Sequence, residues 1–344
     1  MISESLKFRI QRIDDFSEAI VAFINRNVNK HATQQRLNWE YQTDRRRLLF
    51  LTLQDEKDNI KGSQALVPIV GCYKGQIIET GKSECTYVDQ DLRGSRAFGD
   101  LYDAFLDWSA KEEYSVIWGL TSAVKIWKEK LKFDVAEMII FHFDIHNSGV
   151  LTNWNQLSGW KREMNKIKAR WQLKELDTRG WTAKASDTIT VEDVEWRNNI
   201  LHQAATSFYI GTSAEYYQWR VTDNPYIKYS VWRLMKDGER RGCVITSRSK
   251  GRLWIHEWIF SHQEEVAQQF NLIRKCIARY DDRIGYLGNR THPINGAIEN
   301  VFISNKGTIN PSDWAGLVVK SNDPQINSND LKDGLINLLW TEGV

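Results

Sequence analysis

A weak internal repeat is the feature of this sequence that most constrains how the chain can fold. The segment RLNWEYQTD (36–44) resembles YYQWRVTDNPY (216–226), with a Trp and an Asp at matching positions. In each half, two strand-like segments, a third apolar segment and a long helical segment follow in the same order, at an offset of about 170–180 residues. The repeat therefore predicts a tandem duplication, and 344 residues are enough for two domains.

The first half alternates between predicted strands and helices. Alternating or continuous apolar residues indicate strands, and apolar residues three and four positions apart indicate helices. After a strand over 6–13 and a helix beginning near residue 16, the predicted elements cover 33–42, 45–54, 64–73, 84–88, 97–113, 114–120, 122–132 and 135–145. The order is strand, two helices, three strands, helix, strand, helix and strand, which indicates a mixed α/β domain.

The segment after this first domain contains a predicted helix with apolar side chains on one face. Trp160, Met164, Ile167 and Trp171 recur at helical spacing. We expect this stripe to pack between the two domains.

Composition and charge exclude several classes of protein. Hydrophobic residues make up 42% of the chain, which indicates a folded globular protein. The net charge is only +2, so the overall electrostatic potential does not favour DNA binding. The N-terminal segment lacks the apolar core of a signal peptide, and no apolar run has membrane-spanning length. The four cysteines include no CxxC pair. A cytoplasmic protein with free thiols and no transmembrane segment is predicted, and attachment to a membrane complex stays open.

The connection between the strand at 84–88 and the helix at 97–113 has the features of an anion site. It contains Arg93-Gly94-Ser95-Arg96 directly before the predicted helix. A helix N-terminus presents unpaired N–H groups and a partial positive charge, a glycine lets a ligand approach the backbone, and arginines suit a pyrophosphate. A polar connection that happens to be basic is the alternative. Neither GxGxxG nor GxxxxGK[ST] is present.

Residues 84–133 resemble the core of the GCN5-related N-acetyltransferase (GNAT) superfamily. In that family a strand leads into a loop of form [Q/R]-x-x-G-x-[G/A], whose backbone amides hold the pyrophosphate of acetyl-coenzyme A, and then into a helix. The six positions run here from Arg93 to Phe98: Arg93 matches, whereas Arg96 and Phe98 replace the family's Gly and small residue. The stretch 120–133 keeps the outline of a second family motif without its Asn and Gly.

The resemblance implies two tandem GNAT-like domains, each a mostly antiparallel twisted sheet flanked by helices. It implies an N-terminal domain with the acyl-CoA loop over 1–146, a connecting segment with helical content over 147–195, and a degenerate second domain over 196–344. The co-substrate is expected to be acetyl-CoA or another acyl-CoA, with no metal. The cofactor-binding positions that it implies are Tyr87, Val88, Arg93, Gly94, Ser95, Arg96, Ala97, Phe98, Ser122 and Trp127.

Departures from the family pattern affect both halves. Arg96 and Phe98 stand where small residues are usual, so their side chains are expected to crowd the cofactor loop. In the second half Glu264 and Glu265 open the corresponding helix, and two carboxylates repel a pyrophosphate. We therefore expect the second domain to shape an acceptor cleft instead of binding CoA.

Acetyl transfer to an amine needs a group that accepts a proton and a group that donates one to the leaving thiolate. Glu84, on the strand that leads into the loop, is the predicted base, with an exposed strand carboxylate as the alternative. Tyr87 and Tyr102 are the predicted acids, because Trp127 stands near the position where many family members carry a Tyr. Cys85 is predicted to be a buried thiol and not a nucleophile.

Two residues are assigned to the acceptor. His142 is predicted to project toward it; His142, Asp144 and His146 share one face of a strand, but three ligands on one flat strand seldom complete a metal site, so no metal is predicted. Arg45, the first of three consecutive arginines, is predicted to contact an anionic acceptor, with a solvated strand edge as the alternative.

The leading functional prediction is an acyl-CoA-dependent N-acyltransferase, most simply an N-acetyltransferase. The resemblance to tandem GNAT-like proteins suggests a bacterial surface-polysaccharide pathway. The predicted partner is therefore a small-molecule acceptor that carries an amino group on a nucleotide-linked sugar. One alternative is an aminoacyl transferase of the FemABX kind, which also pairs two GNAT-like domains and uses aminoacyl-tRNA; basic residues such as Lys161 and Lys168 permit it. The other alternative is a non-catalytic GNAT-like binding protein.

Overall fold

Two sheets organise the chain, and their strands follow nearly the same order. The computed structural model describes residues 7–12, 16–27, 31–41, 49–144, 159–249, 252–278, 283–312 and 316–336. The chain divides into two units. The first comprises Met1–Val135, Ile210–Thr212 and Gly316–Lys332, and the second comprises Ala136–Tyr209, Ser213–Ala315 and Asp333–Val344.

Strands and helices are interleaved along the chain. The strands are β1 (Lys7–Arg12), β2 (Leu49–Gln54), β3 (Ile60–Tyr73), β4 (Gln76–Val88), β5 (Val116–Thr121), β6 (Asp134–Ala136), β7 (Met138–Asp144), β8 (Trp181–Ser186), β9 (Phe208–Ile210), β10 (Tyr229–Lys236), β11 (Glu239–Ser249), β12 (Arg252–Phe260), β13 (Arg283–Asn289), β14 (Thr308–Pro311) and β15 (Gly316–Ser321). The α-helices are α1 (Glu18–Asn27), α2 (Gln34–Tyr41), α3 (Ala97–Lys111), α4 (Val124–Glu129), α5 (Gly159–Glu175), α6 (Val191–Gln203), α7 (Ala214–Tyr217), α8 (Val266–Leu272), α9 (Pro293–Ser304) and α10 (Ser328–Lys332). Short 3₁₀ turns cover Gln90–Leu92 and Gln263–Glu265, and π turns cover Gln218–Thr222 and Ile273–Ile277.

The first sheet has the order β1-β2-β3-β4-β5-β15-β6. Strands β1 to β4 pair antiparallel, β5 pairs antiparallel with β15, and β4 and β5 are parallel. A parallel pair needs a crossover, and α3 supplies it. Leu101, Tyr102 and Phe105 of α3 are fully buried in one core with Ile117 of β5. The helix that follows β4 is therefore fixed against the sheet along its length.

The second sheet has the order β14-β7-β13-β12-β11-β10-β8. In this sheet β12 and β13 are parallel, and the other neighbours are antiparallel. Read from β8 to β14, each strand has a counterpart at the same place in the first sheet read from β1 to β6. The predicted mixed α/β fold, with two mostly antiparallel sheets flanked by helices, is confirmed.

The strand predicted over 135–145 is divided between the two sheets, because β6 lies at the edge of the first sheet and β7 lies in the second. We predicted it as the last strand of the first domain, but β7 pairs with β13 and β14 of the second sheet. The equivalent place in the first sheet is filled by β15, which comes from the far end of the chain. Apolar periodicity identifies a strand but not its partner, because a strand buried on both faces suits the interior of either sheet.

The apolar stripe of α5 is exposed, contrary to the expectation that it packs between domains. Trp160 is 67% exposed, Met164 56%, Ile167 46% and Trp171 68%. Helical spacing shows that side chains share one face, and it does not show what covers that face. None of the helices in the described part of the chain is long and apolar enough to cross a membrane.

Candidate active site

The parallel pair of the first sheet opens after three residue pairs. β4 and β5 are paired from Thr80 with Val116 to Lys82 with Trp118. Beyond that point β4 continues to Val88 paired only with β3, and β5 continues paired with β15. We call the opening between 83–88 and 119–121 the β4–β5 splay. Its two facing strand edges leave backbone N–H and C=O groups without a ladder partner, which an extended ligand can pair with.

A β-bulge lies in β4 beside the splay. Cys85 and Thr86 together stand opposite Gln64 of β3, and Cys85 has a positive φ of 50°. The bulge is held by side chains: the Thr86 hydroxyl donates to the Gln64 amide oxygen at 2.5 Å, and the Ser63 hydroxyl donates to the Cys85 carbonyl at 2.7 Å. A bulge changes which way the following side chains point, so the alternation of β4 shifts at this place.

The loop after β4 brings a helix N-terminus to the same end of the sheet. Gly94 has a φ of 84°, a conformation that favours glycine, and a Cβ built there would meet nothing within 4 Å. The Ser95 hydroxyl accepts a hydrogen bond from the Ala97 N–H at 3.1 Å. The Phe98 and Gly99 amides, in the first turn of α3, have no intrahelical acceptor because they precede the first full turn. This arrangement presents N–H groups to a bound anion.

The two side chains expected to crowd the loop point away from it. Arg96 is 92% exposed and forms an i,i+4 ion pair with Asp100 at 3.6 Å. Phe98 is half-buried against the core and stacks on Tyr102, with ring centroids 6.1 Å apart. Arg93 is exposed in an extended conformation at the end of the 3₁₀ turn. The approach to the Gly94 backbone therefore stays open.

Glu84 forms a buried ion pair with Lys82 on the same strand. The two side chains are 8% and 6% exposed, and the Lys82 ammonium contacts the Glu84 carboxylate. The Lys82 Nζ also lies 5.9 Å from the centre of the Trp118 ring on β5. Glu84 is thus neither a solvated strand carboxylate nor an isolated base. Lys82 was not predicted as its partner, because it lies before the strand predicted over 84–88.

Tyr102 and Tyr87 differ in their surroundings. The Tyr102 hydroxyl is fully buried and donates to the Ser83 Oγ at 3.1 Å, at the start of the splay. Burial raises the pKa of Tyr102 well above its usual value. Tyr87 is half-buried near the end of β4, opposite Ser63, and burial raises its pKa to about 12. Both phenols therefore stay protonated near neutral pH.

In the second predicted motif Trp127 packs into the core, whereas Ser122 and Ala123 before it are exposed. Trp127 is buried edge-on against Tyr102, with ring centroids 4.8 Å apart, and against Phe133. Ser122, one of the cofactor positions that the resemblance implies, is exposed just before α4, and the Thr121 hydroxyl accepts the Ala123 N–H at 3.0 Å.

His142 and Arg45 are the two residues predicted to contact the acceptor. His142 lies on β7, opposite Gly285 and Thr308 in the second sheet. Arg45 and His146 lie outside the described residues. Within the described ranges, no three His, Cys, Asp or Glu side chains gather as a metal site would require.

Cys85 lies in the bulge, with its sulfur 3.2 Å from the Tyr41 hydroxyl. It is buried as predicted, and burial raises its pKa to about 12, so it holds no thiolate near neutral pH. Cys72 and Cys243 are also buried, whereas Cys276 is exposed.

We expect the thiols to react in two separate phases. Ellman's reagent at pH 8 should label Cys276 quickly, because only its sulfur is accessible, and label the other thiols only after denaturant is added. The Cys276→Ser variant should lose the fast phase and keep the slow one. A fast phase that survives this substitution would show that a buried thiol opens to solvent.

Several solved structures resemble this chain along most of its length. A GCN5-related N-acetyltransferase from Kribbella flavida superposes with a TM-score of 0.60 at 13% identity, over 92% of this chain and 72% of that one. The chain has the GNAT fold. A probable N-acyltransferase from Enterococcus faecalis V583 matches with a TM-score of 0.59 at 8% identity, over 93% and 73% of the two chains. The N-myristoyltransferase of Saccharomyces cerevisiae with bound myristoyl-CoA matches with 0.54 at 11% identity, over 93% and 85%.

At such identities the likeness concerns the GNAT fold alone. No protein-family model matches the sequence. No curated protein matches it either.

The second unit repeats the splay of the GNAT fold with different chemistry. Pairing of β12 with β13 ends at Ile255 and Tyr286, and a bulge follows at His256. The helix that follows β12 opens with Glu264 and Glu265, and the Glu265 carboxylate pairs with the Lys236 ammonium at 2.7 Å. One of the two carboxylates is therefore neutralised by a neighbouring lysine.

A buried polar network follows β13 in this unit, and the sequence did not reveal it. Asn289 is fully buried and accepts hydrogen bonds from the Asn295 amide on α9. The Tyr286 hydroxyl donates to the Asn295 oxygen at 2.6 Å. His292 caps α9 through its Nδ1, which accepts the Ile294 N–H at 3.2 Å. The sequence feature that could have revealed this cap is His292-Pro293, because Pro is common at the first position of a helix.

Burial lowers the pKa of His292 from 6.5 to about 4. Between these values the unfolded chain binds a proton that the folded chain does not, so stability is full above pH 6.5 and is lost as the pH falls toward 4. We expect urea unfolding to show a loss of about 2 kcal/mol between pH 7 and pH 5 from this group. The His292→Asn variant keeps an oxygen that can cap the helix. Its free energy of unfolding should therefore fall by about 2 kcal/mol less between pH 7 and pH 5 than that of the wild type. Equal pH dependence in both proteins would contradict the assignment.

Proposed function

We propose that this protein is an acyl-CoA-dependent N-acyltransferase whose donor binds at the β4–β5 splay. One observation carries the proposal: the open splay, the amides at the start of α3 and the Arg93-Gly94 loop meet at the carboxyl end of β4. Ligands of sheets with parallel strands bind at that end. The GNAT fold shared with known acyltransferases supports the same conclusion.

The chemistry of a coenzyme A donor matches this site in two places. Its pantetheine arm carries amides that can pair with the open backbone edges of 84–88 and 119–121, as an added strand would. Its pyrophosphate suits the N–H groups of the first turn of α3, with Arg93 adding a charge-assisted contact. Gly94 allows the close approach that such contacts need.

We assign the proton transfers to residues of β4 and α3. The acceptor amine forms the new N–C bond, the C–S bond of the thioester breaks, and Glu84 takes the proton of the amine. The thiolate leaves with a proton from a tyrosine, either Tyr87 or Tyr102 acting through Ser83. Both phenols are protonated at neutral pH, as this role requires.

The acceptor that we propose is an amino group on a nucleotide-linked sugar. This finer proposal rests on the sequence resemblance to tandem polysaccharide-type proteins. A panel of amino-sugar nucleotides, assayed by release of free CoA thiol with acetyl-CoA as donor, tests it. Turnover with other amines but with no amino sugar would reject this acceptor class and leave the acyltransferase proposal standing.

Calorimetric titration with CoA and acetyl-CoA tests the donor site directly. We expect saturable binding that Arg93→Ala weakens by about tenfold or more, since a charge-assisted hydrogen bond contributes about 1.5–3 kcal/mol. The matched control is Arg179→Ala in the second unit, where another exposed arginine is removed. Arg179→Ala should bind CoA as the wild type does.

Failure of the wild-type protein to bind either compound would reject the donor proposal. Aminoacyl-tRNA would then be the next donor to test. Binding of acetyl-CoA without turnover on any amine would favour a GNAT-like binding protein.

A further inference from the structure

We propose that α5 docks the protein on an anionic lipid surface through its exposed apolar stripe, Trp160, Met164, Ile167 and Trp171. At 100° per residue these four side chains lie within a sector of about 60° around the helix axis. They are 46–68% exposed, so the described part of the chain leaves the face accessible. A contiguous exposed apolar face of this kind marks an interaction site.

The charge of α5 identifies the kind of partner. The helix carries six Lys or Arg residues against two Glu, a net charge of +4 in 17 residues. Lys161 and Lys168 are exposed, and each directly follows a residue of the stripe, which places it about 100° around the helix axis from that residue. The Lys161 Nζ lies 5.9 Å from the centre of the Trp160 ring. Basic side chains beside an apolar stripe are typical of helices that lie in the plane of a membrane surface.

The ends of the stripe also suit a lipid interface. Trp160 and Trp171 are about 16 Å apart along the helix, and tryptophan favours the boundary between lipid headgroups and acyl chains. The C-terminal end of the helix contacts its unit, since Gln172 and Leu173 are half-buried and Lys275 donates to the carbonyl of Leu176, just after the helix, at 3.2 Å. The helix is therefore anchored at this end, while its apolar stripe stays exposed.

A second copy of this chain or an RNA fits these observations less well. Four side chains of this kind expose on the order of 500 Å², whereas a stable dimer buries about 800 Å² on each partner. An RNA would use the basic residues but not Met164 and Ile167. A lipid surface uses both the apolar and the basic groups, because charge and insertion act together in membrane binding.

Co-sedimentation of the full chain with vesicles tests the proposal. Binding is expected to vesicles of phosphatidylcholine with phosphatidylglycerol and to be much weaker to phosphatidylcholine alone. The Trp160→Ser/Trp171→Ser variant should bind the anionic vesicles at least about tenfold more weakly. The matched control is Ile303→Ser on α9, where a 55% exposed apolar residue is removed without effect on binding.

A charge variant and two further measurements complete the test. Lys161→Gln/Lys168→Gln should weaken binding about thirtyfold, at about 1 kcal/mol per lysine. Absence of wild-type binding, equal binding to neutral vesicles, or no effect of the Trp substitutions would overturn the proposal. Light scattering without lipid would also overturn the proposal if it showed a dimer that the Trp variant no longer forms. The same holds if the protein binds tRNA and no vesicles, and the Trp substitutions abolish the tRNA binding.

Discussion

Replacing Glu84 by Gln is expected to lower kcat for acyl transfer by about 10²–10⁴-fold, the usual contribution of a positioned general base. The substitution keeps the shape of the side chain and an oxygen that can accept from Lys82, but it removes the group that takes the proton of the amine. CoA affinity should stay as in the wild type, because the donor is held by the loop at 93–98 and by backbone edges. Steady-state kinetics with acetyl-CoA and calorimetry with CoA measure the two quantities.

The loss of activity must be separated from a loss of folding, because Glu84→Gln removes the carboxylate that pairs with the buried Lys82 ammonium. Circular dichroism and an unchanged CoA affinity establish that the variant is folded. Glu79→Gln is the matched control, since Glu79 lies on the same strand before the splay begins. Equal activity of Glu84→Gln and the wild type would remove Glu84 from the mechanism and leave a water or another group as the base.

The sequence predicted the elements around the site better than it predicted their contacts. The helix expected over 97–113 is α3, because its apolar spacing is strong and its start is marked by Gly94 and Ser95. The first part of β4 was not predicted, because buried polar residues such as Lys82 and Ser83 give no apolar alternation. A strand whose buried polar side chains are hydrogen-bonded or ion-paired to neighbouring residues has the same residue pattern as a loop.

The bulge at Cys85 is the second feature that residue patterns did not reveal. Alternation assigns residues 82, 84, 86 and 88 to one face, but an extra residue in the strand shifts that assignment from Cys85 onward. The same shift occurs at His256 in β12. Strand partners are likewise absent from the pattern, and β7 was therefore assigned to the wrong sheet. Local residue types predict the loop. The strand register, which decides the face toward which each side chain points, depends on pairing with strands that are distant in sequence.

Removing the Arg197 guanidinium is expected to lower the free energy of unfolding of the second unit by about 3–5 kcal/mol, the usual loss when one partner of a buried ion pair is deleted. The Arg197 and Glu257 side chains are 3% and 4% exposed, and the Arg197 Nε donates to a Glu257 oxygen at 2.8 Å. The Tyr217 hydroxyl donates to the same carboxylate at 2.8 Å. Burial raises the pKa of Tyr217 well above its usual value, so this donor stays neutral. Arg197→Met would leave a buried carboxylate that has lost its charged partner and keeps the neutral Tyr217 donor.

Urea unfolding of Arg197→Met, Glu257→Gln and the double variant distinguishes a buried charge from lost packing. If the cost comes from the uncompensated charge, the double variant should lose much less than the sum of the two single losses, because neither charge then remains buried alone. Arg179→Met removes an exposed arginine that pairs with Asp177, and it should unfold as the wild type does because surface ion pairs contribute little. Additive losses in the double variant would show instead that Arg197 acts through its contacts with the Tyr209 and Tyr217 rings, 5.5 Å from its guanidinium carbon. In that case the ion pair beside the β12 bulge would be incidental to the stability of the second unit.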